Sequence, residues 1–172
     1  MKIISKILSY RCSLIGYDTR NETIIQKIVD LIPSKIIFDS NFSKEEIVEY
    51  FTTRQVIREI QLSSLLDRSK SINIVLNLNN LQTDSGSKDV RYLVRFLNSK
   101  LYEISQEDRN IKLILLTSIY NSSSGAVNMR AGTGPLYASD YFITLKEDKL
   151  NVVKDRIDHD THEINISDLE FE

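Results

Sequence analysis

Short apolar runs alternate along this sequence with segments whose apolar residues recur every three or four positions, and this alternation limits the fold more than any other feature. The runs at 11–17, 72–78 and 111–117 consist largely of apolar residues, as is typical of buried strands. Residues 21–32 and 88–105 instead place their apolar side chains on one helical face. Strands that alternate with helices build a parallel sheet through right-handed crossovers. The sequence therefore predicts an α/β fold.

Two further signals complete the first half of the predicted sheet. The β-branched and aromatic run at 35–39 predicts a second, buried strand. Ser43, followed three residues later by Glu46, has the capping-box pattern that begins a helix. Ile57 and Ile60 would extend the apolar face of that second helix.

The last third of the sequence predicts a different arrangement. Residues 118–134 are rich in Ser and Gly and are predicted to form a loop. The runs at 141–145 and 150–154 predict a hairpin around a turn at 147–148, and 163–166 could add a further strand. We therefore expect a mostly parallel sheet flanked by helices, with an antiparallel hairpin at its C-terminal edge.

Composition agrees with one compact domain and excludes few functions. The chain has 172 residues, of which 41% are hydrophobic and 27% charged, and we assign 1–167 to a single core domain and 168–172 to a frayed acidic tail. The formal net charge is -2, so any contact with nucleic acid has to come from a local patch. The single cysteine, Cys12, fits a reducing compartment. No apolar run approaches the roughly 20 residues of a membrane span, so we expect a cytoplasmic protein with no membrane contact.

The turn after the first predicted strand has the frame of a phosphate-binding loop without its chemistry. Such a loop needs glycines that let backbone N–H groups wrap the phosphates, a lysine, and a Ser or Thr hydroxyl for magnesium. Residues 16–23 read GYDTRNET and keep only the first glycine, Gly16, and the last threonine, Thr23. Asn21 stands in place of the second glycine and Glu22 in place of the lysine, whose charge it reverses. A glycine at a turn and a threonine in a first helical turn are also ordinary, so this match alone leaves a structural explanation open.

Two motifs in the C-terminal third resemble the phage UvsX branch of the RecA-like recombinases. Residues 129–140 read MRAGTGPLYASD, and in that family a Gly-Thr-Gly-Pro stretch with a Tyr and an Asp closes the second DNA-binding loop. Residues 150–156 read LNVVKDR and resemble the family's Leu-Asn-Val-x-Lys-x-Arg strand, in the same order along the chain. The resemblance covers about residues 11–167. It implies a RecA-like P-loop core in 1–167 and, for a phage-encoded protein, a location in the host cytoplasm.

The same resemblance implies that ATP hydrolysis is lost. Asn41 stands where the family has the glutamate that activates the attacking water. The magnesium-binding aspartate of the Walker B strand would fall at Leu76 without a gap or at Asn77 with one, and no carboxylate occurs from 72 to 82. Ser118 replaces the histidine that senses the γ-phosphate. Because phosphoryl transfer depends on positioning and charge stabilisation, we expect an inactive ATPase that uses no cofactor.

Lys154 and Arg156 match positions that, in RecA-like filaments, reach across to the ATP of the neighbouring subunit. The resemblance therefore implies a partner, a recombinase or another RecA-like ATPase subunit. The chain would cap or modulate that partner's filament in DNA recombination, repair or replication. We find no counterpart of the family's N-terminal oligomerisation segment or C-terminal extension in the sequence, so we do not expect independent filaments. The alternative is that both cations alternate with Val153 and Ile157 on an edge strand, solvated and unpaired.

Binding of single-stranded DNA is a second hypothesis. A flexible Gly/Ser backbone with an arginine suits contact that is independent of base sequence, and cations at the start of the 88–105 helix would add phosphate contacts. We expect the aromatic residues of that helix to serve core and interface packing rather than to stack on bases; they are Tyr92, Phe96 and Tyr102. The candidate DNA contacts are Lys88, Arg91, Arg95, Arg130, Gly132, Thr133 and Gly134.

A third hypothesis is an interaction or structural module that uses the fold without DNA, because fold alone does not fix function. The histidine-containing stretch at 158–163, which reads DHDTHE, lacks a closed set of metal ligands. We therefore predict no metal site there.

Overall fold

The computed structural model describes residues 1–38, 40–53, 72–82, 86–105, 111–121 and 127–171. Several sequence predictions concern other parts of the chain and lie outside the described residues. These are the contribution of Asp39 to the second strand, that of Ile57 and Ile60 to the second helix, and residues 122–126 of the predicted loop.

One mixed sheet forms the centre of the molecule, with strands in the order β10-β9-β8-β1-β6-β4-β2. Five strands run parallel to one another, and they are β2, β4, β6, β1 and β8. The strands β9 and β10 complete one edge of the sheet and are antiparallel to the strands they pair with. This confirms the predicted α/β fold. The sheet strands are β1 (Cys12–Tyr17), β2 (Lys35–Phe38), β4 (Ile72–Asn77), β6 (Ile111–Asn121), β8 (Tyr141–Lys146), β9 (Lys149–Asp155) and β10 (Glu163–Asn165). A short strand β7 (Val127–Met129) pairs with the end of β6, and β3 (Phe42–Ser43) pairs with β5 (Leu81–Gln82) beside the main sheet.

Helices cover both faces of this sheet. The capping box of the second predicted helix is present, since the Glu46 backbone N–H donates to Ser43 Oγ over 3.2 Å and the Ser43 N–H donates to Glu46 Oε2 over 2.7 Å. The described helices are α1 (Ile3–Leu8), α2 (Glu22–Leu31), α3 (Lys44–Thr52), α4 (Ser87–Ser105) and α5 (Gly134–Ala138).

Two apolar layers form the core, one on each face of the sheet. Leu14 packs in the layer shared with α3 and α4, and its neighbour Ile15 packs in the layer shared with α1 and α2. Successive residues of a strand point to opposite faces, so β1 needs apolar residues at both positions. This explains why its sequence shows a continuous apolar run rather than an alternating one.

Two sequence predictions about elements are wrong, and a helix after the predicted loop was not foreseen. The second strand, β2, is the last strand of the sheet and only half-buried, with the Ile37 side chain 38% exposed. Residues 118–121, predicted to be loop, extend β6 because β7 folds back and pairs with them from Val127 to Met129. Residues 134–138 of the C-terminal motif are a short helix, α5.

The end of the chain is attached rather than frayed, which corrects the expectation for residues 168–172. The Leu169 side chain is buried in the layer that contains α1. The Ile3 N–H donates to the Glu170 carbonyl, and the Glu170 N–H donates to the Met1 carbonyl, each over 3.0 Å. The division at residue 167 stays a prediction. Over the described ranges, the helices are too short or too polar to span a bilayer.

Candidate functional site: a cavity at the carboxyl ends of the strands

A cavity of about 480 Å³ opens where the parallel strands β1, β2, β4 and β6 end. In open α/β sheets, ligands bind at this edge, outside the carboxyl ends of the strands. Three residues of the predicted degenerate nucleotide site lie in its lining, from three different elements. These are Glu22, Asn77 and Ser118, and they are joined there by Tyr17, Asn79 and Arg130.

The connection from β1 to α2 forms a closed turn instead of a phosphate cradle. Asp18 is followed by a 3₁₀ turn over Thr19–Asn21, and the Asn21 N–H donates to the Asp18 carbonyl over 3.0 Å. The buried Asn21 amide donates to Asp18 Oδ1 and to the Glu147 carbonyl, over 2.7 and 3.1 Å. Asp18 Oδ2 in turn accepts the Glu147 N–H over 2.7 Å. The turn is therefore bonded to the β8–β9 hairpin, and these groups are not available to wrap phosphates.

Gly16 has a packing role in the strand. It lies inside β1, paired with Thr117 on one side and Thr144 on the other. A Cβ at position 16 would lie 2.7 Å from Cγ2 of the buried Ile119. Glycine is required here by the close approach of a side chain, which is the structural explanation that the sequence left open.

A network of side-chain amides forms one wall of the cavity, with Asn79 at its centre. The Asn79 amide donates to the Tyr17 hydroxyl over 3.0 Å, and its oxygen accepts from the Ser118 N–H and Oγ over 2.9 and 3.1 Å. The Asn79 N–H donates to Asn77 Oδ1 over 3.0 Å. Burial raises the pKa of Tyr17, although the neighbouring amides act in the opposite direction, so the phenol is neutral at physiological pH. Tyr17 and Asn79 were not among the site residues predicted from the sequence, although the cluster of asparagines at a strand end was an available signal for Asn79.

The two candidate residues for the Walker B position that the resemblance implies lie in different surroundings. Asn77 lines the cavity, whereas the Leu76 side chain is fully buried in the core. Two other predicted site residues do not belong to the cavity lining. Thr23 is exposed on α2, and Asn41 is exposed between β2 and β3.

The charges of the cavity do not suit a metal–triphosphate complex. Glu22 and Arg130 are the charged side chains among the described lining residues, and the lining contains neither a lysine nor an aspartate. Phosphoryl transfer requires a cation on the phosphates and a carboxylate for magnesium, both held in position. Nearby, Asp18 adds a second carboxylate in the turn. Among the described lining residues, no lysine and aspartate are combined in the way that such a complex requires.

The strand β9 and the residue after it present Lys154 and Arg156 at the opposite end of the sheet. Lys154 Nζ donates to the carbonyls of Leu136 and Ser139, over 2.7 and 2.5 Å. Burial, and then the nearby Arg156, lower the pKa of Lys154. Arg156 donates to Asp140 Oδ1 over 3.0 Å, and its side chain is 56% exposed. The alternative that both cations are solvated and unpaired is therefore wrong.

Most of the predicted DNA contacts lie together, on α4 and α5. A Cβ at Gly134 would lie 3.2 Å from Arg91 Cβ, so the glycine lets α5 approach α4. Gly132 has a φ of +73°, which glycine adopts readily, and Thr133 is the exposed residue before α5. An open groove of about 450 Å³ follows α4, and its lining residues are Lys88, Arg91, Tyr92, Arg95, Phe96 and Ser99.

Two aspects of the DNA-contact prediction change. The Tyr92 side chain is 52% exposed rather than packed in the core, whereas Phe96 does pack against the core. The side chain of Tyr102 lies outside the described part of the structure. Arg130 lines the cavity at the strand ends and not the groove on α4.

The histidine-containing turn makes a local contact. His162 Nδ1 lies 3.2 Å from Asp160 Oδ2. Across the described ranges there is no cluster of three or more histidine, cysteine or carboxylate side chains that could hold a metal ion.

Comparison with known proteins shows the fold and no sequence family. No protein-family model matches the chain, and no curated protein sequence matches it. The structure is similar to a DnaB-like replicative helicase, which was solved in a study that also concerned its interactions with primase. The TM-score is 0.56 at 10% identity, over 90% of this chain and 54% of the helicase chain. The chain thus spans about half of the helicase. It is also similar to the RadB recombinase, with a TM-score of 0.49 at 12% identity, over 94% of this chain and 90% of that one.

Sheet order, flanking helices and the helicase similarity together define the class of fold. The molecule has a RecA-like α/β fold, with a mostly parallel sheet and antiparallel strands at one edge. At such low sequence identity the similarity establishes the fold alone.

Proposed function

We propose that the chain is a RecA-like subunit that does not hydrolyse ATP and that acts in DNA recombination, repair or replication. It binds an active RecA-like ATPase subunit, such as a recombinase, and caps or modulates its assembly. One combination of features supports this proposal. At one end of the sheet, the described lining of the cavity lacks the groups for phosphoryl transfer, and at the other end Arg156 is an exposed cation.

The opposite positions of these two features favour head-to-tail association. The cavity lies at the carboxyl ends of the parallel strands. Arg156 lies beside the amino end of β8, because its N–H donates to the carbonyl of Asp140, which precedes that strand. A subunit with unlike surfaces at its two ends makes heterologous contacts, which propagate along an assembly. A subunit whose cavity cannot take ATP would end or interrupt an assembly that depends on ATP at each contact.

Arg156 is better suited than Lys154 to contact the nucleotide of a partner subunit. Lys154 is bonded to two carbonyls of its own chain, so moving it to a neighbour would leave both carbonyls without that donor. Arg156 holds one carboxylate at the surface, where an ion pair contributes little and exchanges easily. We therefore assign the contact with the partner's nucleotide to Arg156 and a supporting role to Lys154.

The test is to mix the protein with its cognate recombinase and to measure the length of the recombinase filaments and the rate of ATP hydrolysis. We expect shorter filaments and a lower rate at substoichiometric amounts of the wild-type protein. Arg156→Ala should weaken both effects about tenfold or more, because it removes a charge-assisted contact. Arg20→Ala removes an exposed arginine at the other end of the sheet and is the matched control. Wild-type protein without effect on either quantity would contradict the proposal and leave the interaction-module hypothesis.

Direct binding of single-stranded DNA is the second candidate function, and the groove on α4 favours it. Lys88, Arg91 and Arg95 line this groove, and none has a carboxylate partner within the described residues. Like charges three or four residues apart on a helix repel each other and destabilise it slightly. Because an anionic partner would relieve this repulsion, the row of cations suits the binding of such a partner. The exposed Tyr92 adds an aromatic face between them, on which a base could stack.

This second function is tested by titrating fluorescent single-stranded DNA at several salt concentrations. We expect affinity to fall with salt, and the slope of log K against log[salt] to decrease in magnitude by about 0.7 for each phosphate contact removed. The double variant Arg91→Ala/Arg95→Ala should show such a decrease, and Tyr92→Ala should weaken binding without changing the slope. Lys2→Ala and Lys27→Ala, on other surfaces, provide the charge-matched control. If the wild-type protein does not bind even at low ionic strength, DNA binding by this groove is excluded.

A further inference from the structure

The cavity at the strand ends has the size and the mixed lining of a small-molecule site, but its described residues do not suit a triphosphate. Its volume of about 480 Å³ lies within the roughly 300–1,000 Å³ of typical ligand pockets. Apolar side chains from α2, β2, β4 and β6 form part of its wall, and amide and carboxylate groups form the rest. Such a mixture suits a flat molecule with an apolar face and a polar edge. The apolar lining residues are Ile25, Val29, Ile37, Phe38, Val75 and Leu116.

Glu22 supplies an acceptor that the protein itself does not use. Within the described part of the chain, its carboxylate has neither an ion-pair nor a hydrogen-bond partner. It lies near the Tyr17 hydroxyl, because its charge contributes, after burial, to the raised pKa of that phenol. Glu22 is exposed to solvent and lies in the lining of the same cavity as the amide network. It would accept two N–H groups side by side, as carboxylates do from planar donors.

The amide wall of the cavity is held in a fixed arrangement. Both the nitrogen and the oxygen of the Asn79 side chain are bonded to protein groups, to Tyr17 and to Ser118. Asn77 is held by the Asn79 N–H. These side chains are already oriented, so they lose little conformational entropy when a matching ligand binds.

The electrostatics of the site select against phosphate. Glu22 lies in the lining and Asp18 in the adjacent turn, and the Asn21 N–H that could face an anion is bonded within the turn. Arg130 is the single cationic side chain among the described lining residues, and it is exposed. A phosphate group next to the unpaired Glu22 carboxylate would thus meet a like charge.

We propose that this cavity binds a small planar molecule that presents two adjacent N–H donors to Glu22 and carries no phosphate. Its flat face lies against the apolar wall, and its remaining polar atoms meet the asparagine wall. Two kinds of small molecule share this chemistry: a guanine-type base or nucleoside, and a guanidino compound. This inference goes beyond the proposed function, because it requires no partner subunit and no DNA.

The test uses ¹⁵N-labelled full-length protein and follows the side-chain amide signals of Asn77, Asn79 and Gln26 during titration. The probes are guanosine, GTP and N-acetyl-arginine amide. We expect a saturable shift of these signals with guanosine, with N-acetyl-arginine amide, or with both, and the responding probe identifies the source. Guanosine should bind at least about tenfold more tightly than GTP, because the phosphates are repelled.

Glu22→Gln should lower the affinity for the responding probe about tenfold or more, because the hydrogen bond to a charged acceptor is lost. Glu49→Gln, at an exposed position on α3, is the matched control and should bind like the wild type. Thermal unfolding of both variants confirms that they are folded. The inference is overturned if neither guanosine nor N-acetyl-arginine amide shifts these signals at millimolar concentration, if GTP binds as tightly as guanosine, or if Glu22→Gln binds like the wild type. None of these results depends on the recombinase assays.

Discussion

At the scale of single residues, the two glycine positions of the predicted phosphate-loop pattern have different structural explanations. Gly16 is needed because Ile119 approaches the backbone of β1, whereas Asn21 is needed because it ties two turns together. Neither role involves a nucleotide. A motif that looks like the remains of a binding loop can thus be maintained by packing and hydrogen bonding alone.

Gly16→Ala should destabilise the protein by about 1–3 kcal/mol, because the new methyl group overlaps Cγ2 of Ile119 at 2.7 Å in a packed core. Chemical denaturation measures the change. Ile119→Leu removes the methyl group that overlaps, so the double variant should recover part of the loss. Strictly additive effects of the two substitutions would show that this contact is not the cause.

Asn21→Ala should cost about 1–3 kcal/mol of unfolding free energy, because the Asp18 carboxylate and the Glu147 carbonyl each lose a donor in a half-buried site. Asn41→Ala, at an exposed position, is the control and should change stability by no more than about 0.5 kcal/mol. Equal stability of the wild type and Asn21→Ala would mean that the turn is held in another way.

At the scale of elements, the short helix α5 is held at its C-terminal end by Lys154 of β9. The Lys154 ammonium donates to the Leu136 carbonyl within the helix and to the Ser139 carbonyl just after it. Carbonyls at a helix end have no partner inside the helix, and a cation there also interacts favourably with the helix dipole. This contact joins the two motifs on which the family resemblance rests.

We expect Lys154→Ala to destabilise the protein by about 1–3 kcal/mol, because it leaves those two carbonyls without their donor. Arg156→Ala should change stability by no more than about 0.5 kcal/mol, since it removes one exposed ion pair. Urea denaturation of the two variants provides the comparison. Equal effects would contradict the division of roles between an internal lysine and an interface arginine.

At the scale of the whole molecule, a buried charged cluster joins the N-terminal helix α1 to the hairpin edge of the sheet. Asp155 accepts a hydrogen bond from the Tyr10 hydroxyl over 2.6 Å and pairs with Lys6 over 3.0 Å. Lys6 also pairs with Asp158. The N–H groups of Ile157 and Asp158 donate to the Asp155 carboxylate as well, over 3.0 and 2.8 Å.

This cluster predicts a dependence of stability on acid. Burial alone would raise the pKa of Asp155, but the hydrogen bonds from Tyr10, Asp158 and Lys6 lower it to about 2, below its ordinary value of 3.8. Because the folded state binds the proton less tightly than the unfolded state, the stabilisation is present above about pH 4 and is lost as the pH falls towards about 2. Denaturation curves between pH 7 and pH 2 measure this.

Asp155→Asn is the control for that prediction. The variant should be less stable at pH 7, and its stability should fall less between pH 4 and pH 2 than that of the wild type. An identical pH dependence in the two proteins would assign the acid sensitivity to other carboxylates.

Much of the fold could be predicted from the sequence, for local reasons. The apolar period of α2 and α4, the capping box at Ser43 and the strands that became β1, β4 and β8 all depend on neighbours in the chain. The edge position of β2 could not be predicted, because strand order depends on pairing between distant segments. The continuation of β6 to Asn121 also needed a distant partner, β7.

The candidate site, like the fold, could be predicted from the sequence only in part. The order of residues by itself was enough to predict a degenerate phosphate loop with Asn21 and Glu22, and a Walker B position at Leu76 or Asn77. Only the tertiary structure decided that Glu22, Asn77 and Ser118 line one cavity, that Asn79 joins them, and that Lys154 is bonded within its own chain. Contacts between side chains far apart in sequence depend on the register and crossing of the strands, which local patterns do not encode.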